Sequence, residues 1–299
     1  MANVLATEIL KVRKRWMPYV LLLLMVAGAA VLIWLIGYVG YRDDPRGEYA
    51  GDAFRTFVFP WSIGALLDSG QFWGAAVFVT ILTSSTVSTE YNWGTVRQAL
   101  TRGQPRWQFL ATKLLGTSLL CIVFLLVALG VGILFSILAT SAEGEPITLD
   151  VRDGPFANFR DGPSVPDIFL MVLRSALGII PYGLLAFALA VIGRSTALGI
   201  AGTLGYMLGE GIIVAILESI GGIAADFREV AIGHHVSSLI AANRIGTGEY
   251  NSIAAREIPV AADLPDVWVA TLVIVLYCIA FAAVAFFIFQ RRDLRSSDR

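Results

Sequence analysis

The stretch from Glu90 to Lys113 reads EYNWGTVRQALTRGQPRWQFLATK and separates two long apolar runs. Its charged residues are one acid and four cations: Glu90, Arg97, Arg102, Arg106 and Lys113. A basic segment between apolar runs is typical of a loop on the cytoplasmic side of a membrane. We therefore interpret the chain as one organised around a short basic loop, residues 90–106, that is held at a membrane surface.

The overall composition indicates a membrane protein. Of the 299 residues, 57% are hydrophobic and 15% are charged, and the mean hydropathy is +0.73. A soluble domain carries about 25% charged residues. The chain contains no Gly-x-x-x-x-Gly-Lys-Ser/Thr loop, so we do not expect it to bind ATP in that way itself.

Long apolar runs divide the chain into six predicted membrane spans. We predict an all-α, polytopic membrane protein in which residues 1–299 form a single transmembrane domain. The spans are expected at about residues 19–40, 72–88, 109–140, 168–192, 197–217 and 267–290. Six spans place both termini on the same side of the membrane.

The distribution of charge predicts which side that is. Thirteen of the 22 lysines and arginines lie in the two termini, the 90–113 region and the turn at Arg194, whereas 18 of the 23 acids lie in the other three loops. Lysine and arginine are enriched in cytoplasmic loops. We therefore expect a multi-pass protein of the plasma (inner) membrane with both termini and the basic loop in the cytoplasm.

The first residues carry an amphipathic helical pattern. Leu5, Ile9, Val12 and Trp16 recur at helical spacing, with cations mostly off that stripe. The pattern predicts an interfacial helix at about residues 2–16 that lies on the membrane surface. A disordered basic N-terminus is the alternative.

The basic loop itself is predicted to contain a short helix. Gly94 and Thr95 are suited to a tight turn into a helix, and Arg97 and Leu100 then lie at helical spacing. A rigid short helix below the membrane is a surface that a soluble partner can push against. An ordinary basic inner loop is the competing interpretation.

The same residues carry a resemblance to a known family. The pattern Glu-Tyr-x-x-Gly-Thr-x-Arg, followed by a basic residue and a lysine at the start of the third span, resembles the permease subunits of ATP-binding-cassette (ABC) exporters of the type-2 family. The residues that carry it are Glu90, Tyr91, Gly94, Thr95, Arg97, Arg106 and Lys113. The Arg194-Ser195 turn is also similar to that family, whereas Gln104-Pro105 departs slightly from its usual pattern.

The resemblance implies a function. In such a permease the 90–106 loop is the coupling helix that docks into a separate cytosolic ABC ATPase subunit, and residues 2–16 correspond to the elbow helix. Its ATPase-coupling residues would be Glu90, Tyr91, Gly94, Thr95, Arg97 and Arg102. ATP and Mg²⁺ would be bound by the partner subunit, and two permeases, identical or different, would form the working unit. We expect no catalytic residue, bound cofactor or metal on this chain, and no nucleic-acid partner.

Two charged residues lie well inside predicted spans. Arg174 in span four and Glu210 in span five are at similar predicted depths, on helices that a four-residue turn joins. Because a charge inside the bilayer requires a partner or water, we expect an intramembrane charged pair. The pair would fix span four against span five or line the transport pathway; alternatively, Arg174 extends to the outer interface.

Two other functions remain open from the sequence. An ion-coupled secondary carrier could use Arg174 and Glu210 as its ion site, and a membrane scaffold would need no transport at all. His234 and His235 are adjacent, which is unfavourable for binding one metal from a helix, and we interpret them as polar outer surface.

Overall fold

The computed structural model describes Leu10, residues 14–31, Phe59, residues 75–101, Gly103, residues 105–142, Ile147 and residues 165–221, 227–245 and 264–291. Within these ranges all regular structure is helical, which confirms the predicted all-α class. The helices are α1 (Trp16–Ala30), α2 (Ala76–Asn92), α3 (Thr95–Thr101), α4 (Arg106–Ala142), α5 (Val165–Gly193), α6 (Thr196–Ile220), α7 (Ile232–Ile245) and α8 (Val267–Arg291).

Four of these helices are long and apolar enough to cross a membrane: α4, α5 from Ile168, α6 and α8. They correspond to predicted spans three to six. In the described residues α1 and α2 have 15 and 17 residues, so the six-span count stays a prediction. α2 continues four residues beyond the predicted end of span two, to Asn92. Most of the predicted interfacial helix, residues 2–16, lies outside the described residues.

Helix α5 is the centre of the bundle. It packs against α2, α4, α6, α7 and α8. In its most apolar stretch of 18 residues, 61% of the residues are buried, whereas the corresponding share is 17–28% in the other three long helices. Tyr182, Ala186, Phe187 and Ala190 of α5 are fully buried. The remaining long helices therefore direct most of their apolar surface outward, as expected for helices in lipid.

The bundle has two distinct ends. α2 runs towards Glu90 and α5 towards Gly193, whereas α4 starts at Arg106 and α6 at Thr196 on that same side. We call this side the Glu90 end. Buried apolar residues from α2, α3, α4, α5 and α8 pack together there, among them Val87, Val96, Phe109, Phe187 and Phe289.

Close helix contact in the bundle depends on glycine. Gly199 of α6 faces Ser84 of α2 so closely that an added Cβ atom would lie 2.5 Å from the Ser84 Oγ atom. Gly202 faces Leu189 of α5 in the same way. Close approach of α6 to its neighbours therefore depends on glycine at these two positions, while Gly205 and Gly209 face open space.

Within the described residues, helix α7 is too short to cross a membrane. Its 14 residues span about 21 Å as an α-helix, whereas the hydrocarbon core is about 30 Å thick. It nevertheless packs against α5 and α8 inside the bundle. Ile232, Val236, Leu239 and Ile240 of α7 lie in a core cluster with Tyr182.

Candidate functional site

Glu90 forms a buried ion pair with a residue of the next helix. The Lys113 ammonium donates a hydrogen bond of 2.9 Å to the Glu90 carboxylate, and both side chains are about 95% buried. Glu90 lies in the last turn of α2 and Lys113 two turns into α4. The sequence placed Glu90 in a loop at the membrane surface. In the structure Glu90 is instead enclosed between α2 and α4, where it pairs with Lys113, 23 residues further along the chain.

The same carboxylate fixes the start of α3. The Thr95 hydroxyl lies 2.5 Å from the second carboxylate oxygen of Glu90 and 3.1 Å from the Glu90 carbonyl oxygen. Between them, Gly94 has φ = +66°, a left-handed conformation that glycine adopts without strain. One glutamate therefore joins α2, α3 and α4, and this confirms the short helix that the sequence predicted after Gly94.

The N-terminal region also reaches this junction. The Arg15 guanidinium lies 3.8 Å from the Glu90 carboxylate and 5.4 Å from the centre of the Trp93 ring. A cavity of about 10 Å³ adjoins Glu90 and Lys113 and is lined mainly by apolar side chains. Such a space holds about one water molecule. The junction is therefore closely packed around Glu90 and Lys113.

Helix α3 presents a polar surface at the Glu90 end. Val96 is its buried anchor, at 3% exposure, whereas Arg97, Gln98 and Thr101 are exposed. The neighbouring Trp93 is also largely exposed. The predicted coupling residues thus fall into two groups: Glu90 and Thr95 hold the junction, and Arg97 faces outward.

Of the predicted coupling residues Tyr91 and Arg102, the structure describes only Tyr91. Tyr91 is partly buried, and the Arg194 guanidinium lies 6.0 Å from the centre of its ring. This contact connects the α5–α6 turn to α2. Arg102 lies outside the described residues, and its predicted role stays a prediction.

Arg174 and Glu210 do not form the ion pair that the sequence predicted. The Arg174 guanidinium donates to the Ala242 carbonyl oxygen of α7 at 3.0 Å. The Glu210 carboxylate accepts from the Gly233 amide of α7 at 2.8 Å and from the Tyr206 hydroxyl at 3.0 Å. The two charges are thus both satisfied by α7, at opposite ends of that helix.

His235 corrects a second expectation. Its side chain is only 3% exposed, and Nε2 lies 2.7 Å from the Glu229 carbonyl oxygen. Because a carbonyl oxygen only accepts, Nε2 is the donor in this contact. His235 therefore belongs to the interior and not to the outer surface, while His234 is half-buried. In the described residues no group of three or more His, Cys, Asp or Glu side chains could hold a metal ion.

Several residues of these contacts carried no functional signal in the sequence. Tyr206 and Asn243 bond across helices to and from α7. Ser238 of α7 bonds to Pro265 just before α8, and Tyr277 of α8 bonds to Val230 just before α7. The Tyr277 hydroxyl, for example, donates to the Val230 carbonyl oxygen at 2.6 Å. Isolated polar residues within apolar runs were the available signal, because a polar group in a bundle interior needs a partner.

The fold and these buried polar connections define a helical protein embedded in a membrane. Residues 61–295 match the family model DUF2705, which is described as a protein of unknown function. The match covers well over half of the chain, and the protein belongs to this family. The chain has no significant match among curated proteins.

Proposed function

We propose that this protein is the permease subunit of an ABC transporter, and that it moves a substrate out of the cell when a separate ATPase subunit binds and hydrolyses ATP. One observation carries the proposal: a short helix with an exposed polar face is fixed to two bundle helices through Glu90, which accepts a hydrogen bond from Thr95 of α3 and forms the buried ion pair with Lys113 of α4. The resemblance of this stretch to type-2 ABC permeases supports the same function.

The connection suits the transmission of force. A partner that pushes on α3 can displace the bundle only if α3 does not move independently. Val96 inserts into the apolar cluster at the Glu90 end, and Glu90 bonds to Thr95 on α3 and Lys113 on α4. Burial strengthens such charged contacts because solvent screens them less. A displacement of α3 would therefore be passed to α2 and α4 together.

The proposal includes orientation and partners. The Glu90 end faces the cytoplasm of a cell whose plasma membrane the protein spans with six helices, and both termini lie on that side. The exposed face of α3, with Arg97 and Gln98, docks on the cytosolic ABC ATPase, which holds ATP and Mg²⁺. Two permease chains, identical or different, complete the transporter in the lipid bilayer.

The secondary-carrier hypothesis is less well supported. An ion-coupled carrier needs a charged group that can bind and release its ion. Glu210 and Arg174 are instead bonded to the backbone of α7 at 2.8 and 3.0 Å. A scaffold role would not require the rigid attachment of α3. We therefore keep the ATPase-coupled permease as the proposed function.

Purification of the intact protein from its native membrane tests the proposal. We expect an ATPase with a Walker-type nucleotide site to co-purify, and R97E to reduce its recovery by at least tenfold. R291E is the matched control, since Arg291 is an exposed arginine at the same end of the bundle but on α8. Recovery of no ATPase with the wild-type protein, or equal recovery with R97E, would contradict the proposal.

A further inference from the structure

The two ends of α7 meet two opposite charges from the long helices. The Gly233 amide belongs to the first turn of α7 and donates to Glu210; the Ala242 carbonyl belongs to the last turn that the structure describes and accepts from Arg174. Tyr206 extends the first contact, because its hydroxyl also lies 3.4 Å from the Ile232 amide.

This arrangement matches the electrostatics of a helix. The first four amides and the last four carbonyls of a helix have no partner within it. They give the N-terminus a partial positive charge and the C-terminus a partial negative charge. An anion at Gly233 and a cation at Ala242 therefore both stabilise α7 in its present place. Glu210 and Arg174 are charged partners of one helix, although they do not contact each other.

Other contacts of α7 favour and oppose this position. Five apolar side chains of α7 are buried in the bundle, and the Ser238 hydroxyl donates to the Pro265 carbonyl oxygen at 2.6 Å. Against these, two buried α7 atoms, His235 Nδ1 and Asn243 Oδ1, have no hydrogen-bond partner within the described residues. Water would satisfy both atoms if α7 left the bundle, and buried unsatisfied atoms are costly. The docked position is thus a balance of opposing contributions.

We propose that α7 is a helix that docks into the bundle and can leave it, and that Glu210 and Arg174 set the docked position by holding its two ends. Loss of either charge shifts the helix towards an undocked state while the long helices stay assembled. This inference does not depend on the proposed transport function, because docking is a property of the chain itself.

Cysteine labelling measures docking directly. In a variant of the full chain without Cys121 and Cys278, V236C places a thiol on the buried face of α7, where Val236 is 2% exposed. We expect E210Q to raise its labelling rate by a water-soluble maleimide on the order of tenfold, because a charge-assisted hydrogen bond is lost. E218Q is the control. It removes the charge of Glu218, which lies on α6 like Glu210 but has a side chain that is 41% exposed.

A second labelled position separates undocking from unfolding. L110C reports on the core at the Glu90 end, where Leu110 is 2% exposed. Faster labelling of V236C with unchanged labelling of L110C supports the proposal. Wild-type labelling of V236C in E210Q, or equal acceleration at both positions, overturns it.

Charge reversal distinguishes this arrangement from a direct ion pair. A pair would be restored in the double variant R174E/E210R. If each charge instead holds one end of α7, the swap places a cation at the Gly233 amide and an anion at the Ala242 carbonyl, and both contacts become repulsive. V236C should then label faster in the double variant than in either single variant. R174K, which keeps the cation, should label nearly as slowly as the wild type. Recovery of slow labelling in the double variant would overturn the proposal.

Discussion

Removal of the Glu90 carboxylate is the most direct test of the junction between α2, α3 and α4. E90A takes away the acceptor that lies 2.9 Å from the Lys113 ammonium, whose side chain is 5% exposed. Breaking a buried ion pair from one side costs about 3–5 kcal/mol, because the remaining charge stays in a poorly solvated site. The Thr95 hydroxyl loses its acceptor as well. We therefore expect E90A to lower the free energy of unfolding by at least about 3 kcal/mol.

Two further variants make the prediction specific. K113M should cost less than E90A, because Glu90 keeps its contacts with Thr95 and Arg15. The double variant E90L/K113M should recover much of the loss, since apolar residues of similar volume often replace a buried ion pair at little cost. Recovery would show that the cost arises from the isolated charge and not from altered packing.

Denaturant titration of the protein in detergent micelles provides the measurement. E218A is the control, because the Glu218–Arg228 pair at 3.3 Å is substantially exposed and such pairs contribute about 0–1 kcal/mol. If E90A and E218A lower the unfolding free energy equally, the reasoning about the buried junction is refuted.

Three further predictions concern packing, pH and topology. G199A should destabilise the protein, since its Cβ atom would lie 2.5 Å from Ser84 Oγ, whereas G205A meets open space and should be nearly neutral; equal thermal midpoints would contradict this. Burial, and secondarily the charge of Arg228, lowers the pKa of His234, so the unfolded chain binds protons more readily and stability should fall as the pH drops below about 6.5. H234Q should remove that part of the pH dependence of the thermal midpoint. An unchanged pH profile would show that His234 is not its source. Q98C should be labelled from the cytoplasm and S219C from outside; labelling of both from one side would overturn the orientation.

The short helix α3 could be predicted because its signals are local. Gly94 allows the left-handed turn, and the residues that follow have helical spacing within seven positions. The buried state of Glu90 could not be predicted in the same way. Its main partner, Lys113, lies 23 residues away on another helix, and the sequence gives no direct information on which cation faces an acid.

The roles of Arg174 and Glu210 show a different limit. Opposite charges at matched depth on neighbouring helices predict an ion pair between these two residues. Their actual partners are the Ala242 carbonyl and the Gly233 amide. Every residue possesses these backbone groups, so the sequence cannot show which helix end will meet a charged side chain. The burial of His235 was missed for the same reason, because it follows from where α7 docks.

Helix α4 has a mechanical consequence because of its length. Its 37 residues extend about 55 Å, nearly twice the thickness of the hydrocarbon core. Lys113 lies near its first turns and Thr140 near its last, where the Thr140 hydroxyl oxygen accepts from the Phe59 amide at 3.0 Å. These positions are about 40 Å apart along one continuous helix. A tilt of α4 about Lys113 that keeps the helix straight would therefore move Thr140 sideways by about 0.7 Å per degree of tilt.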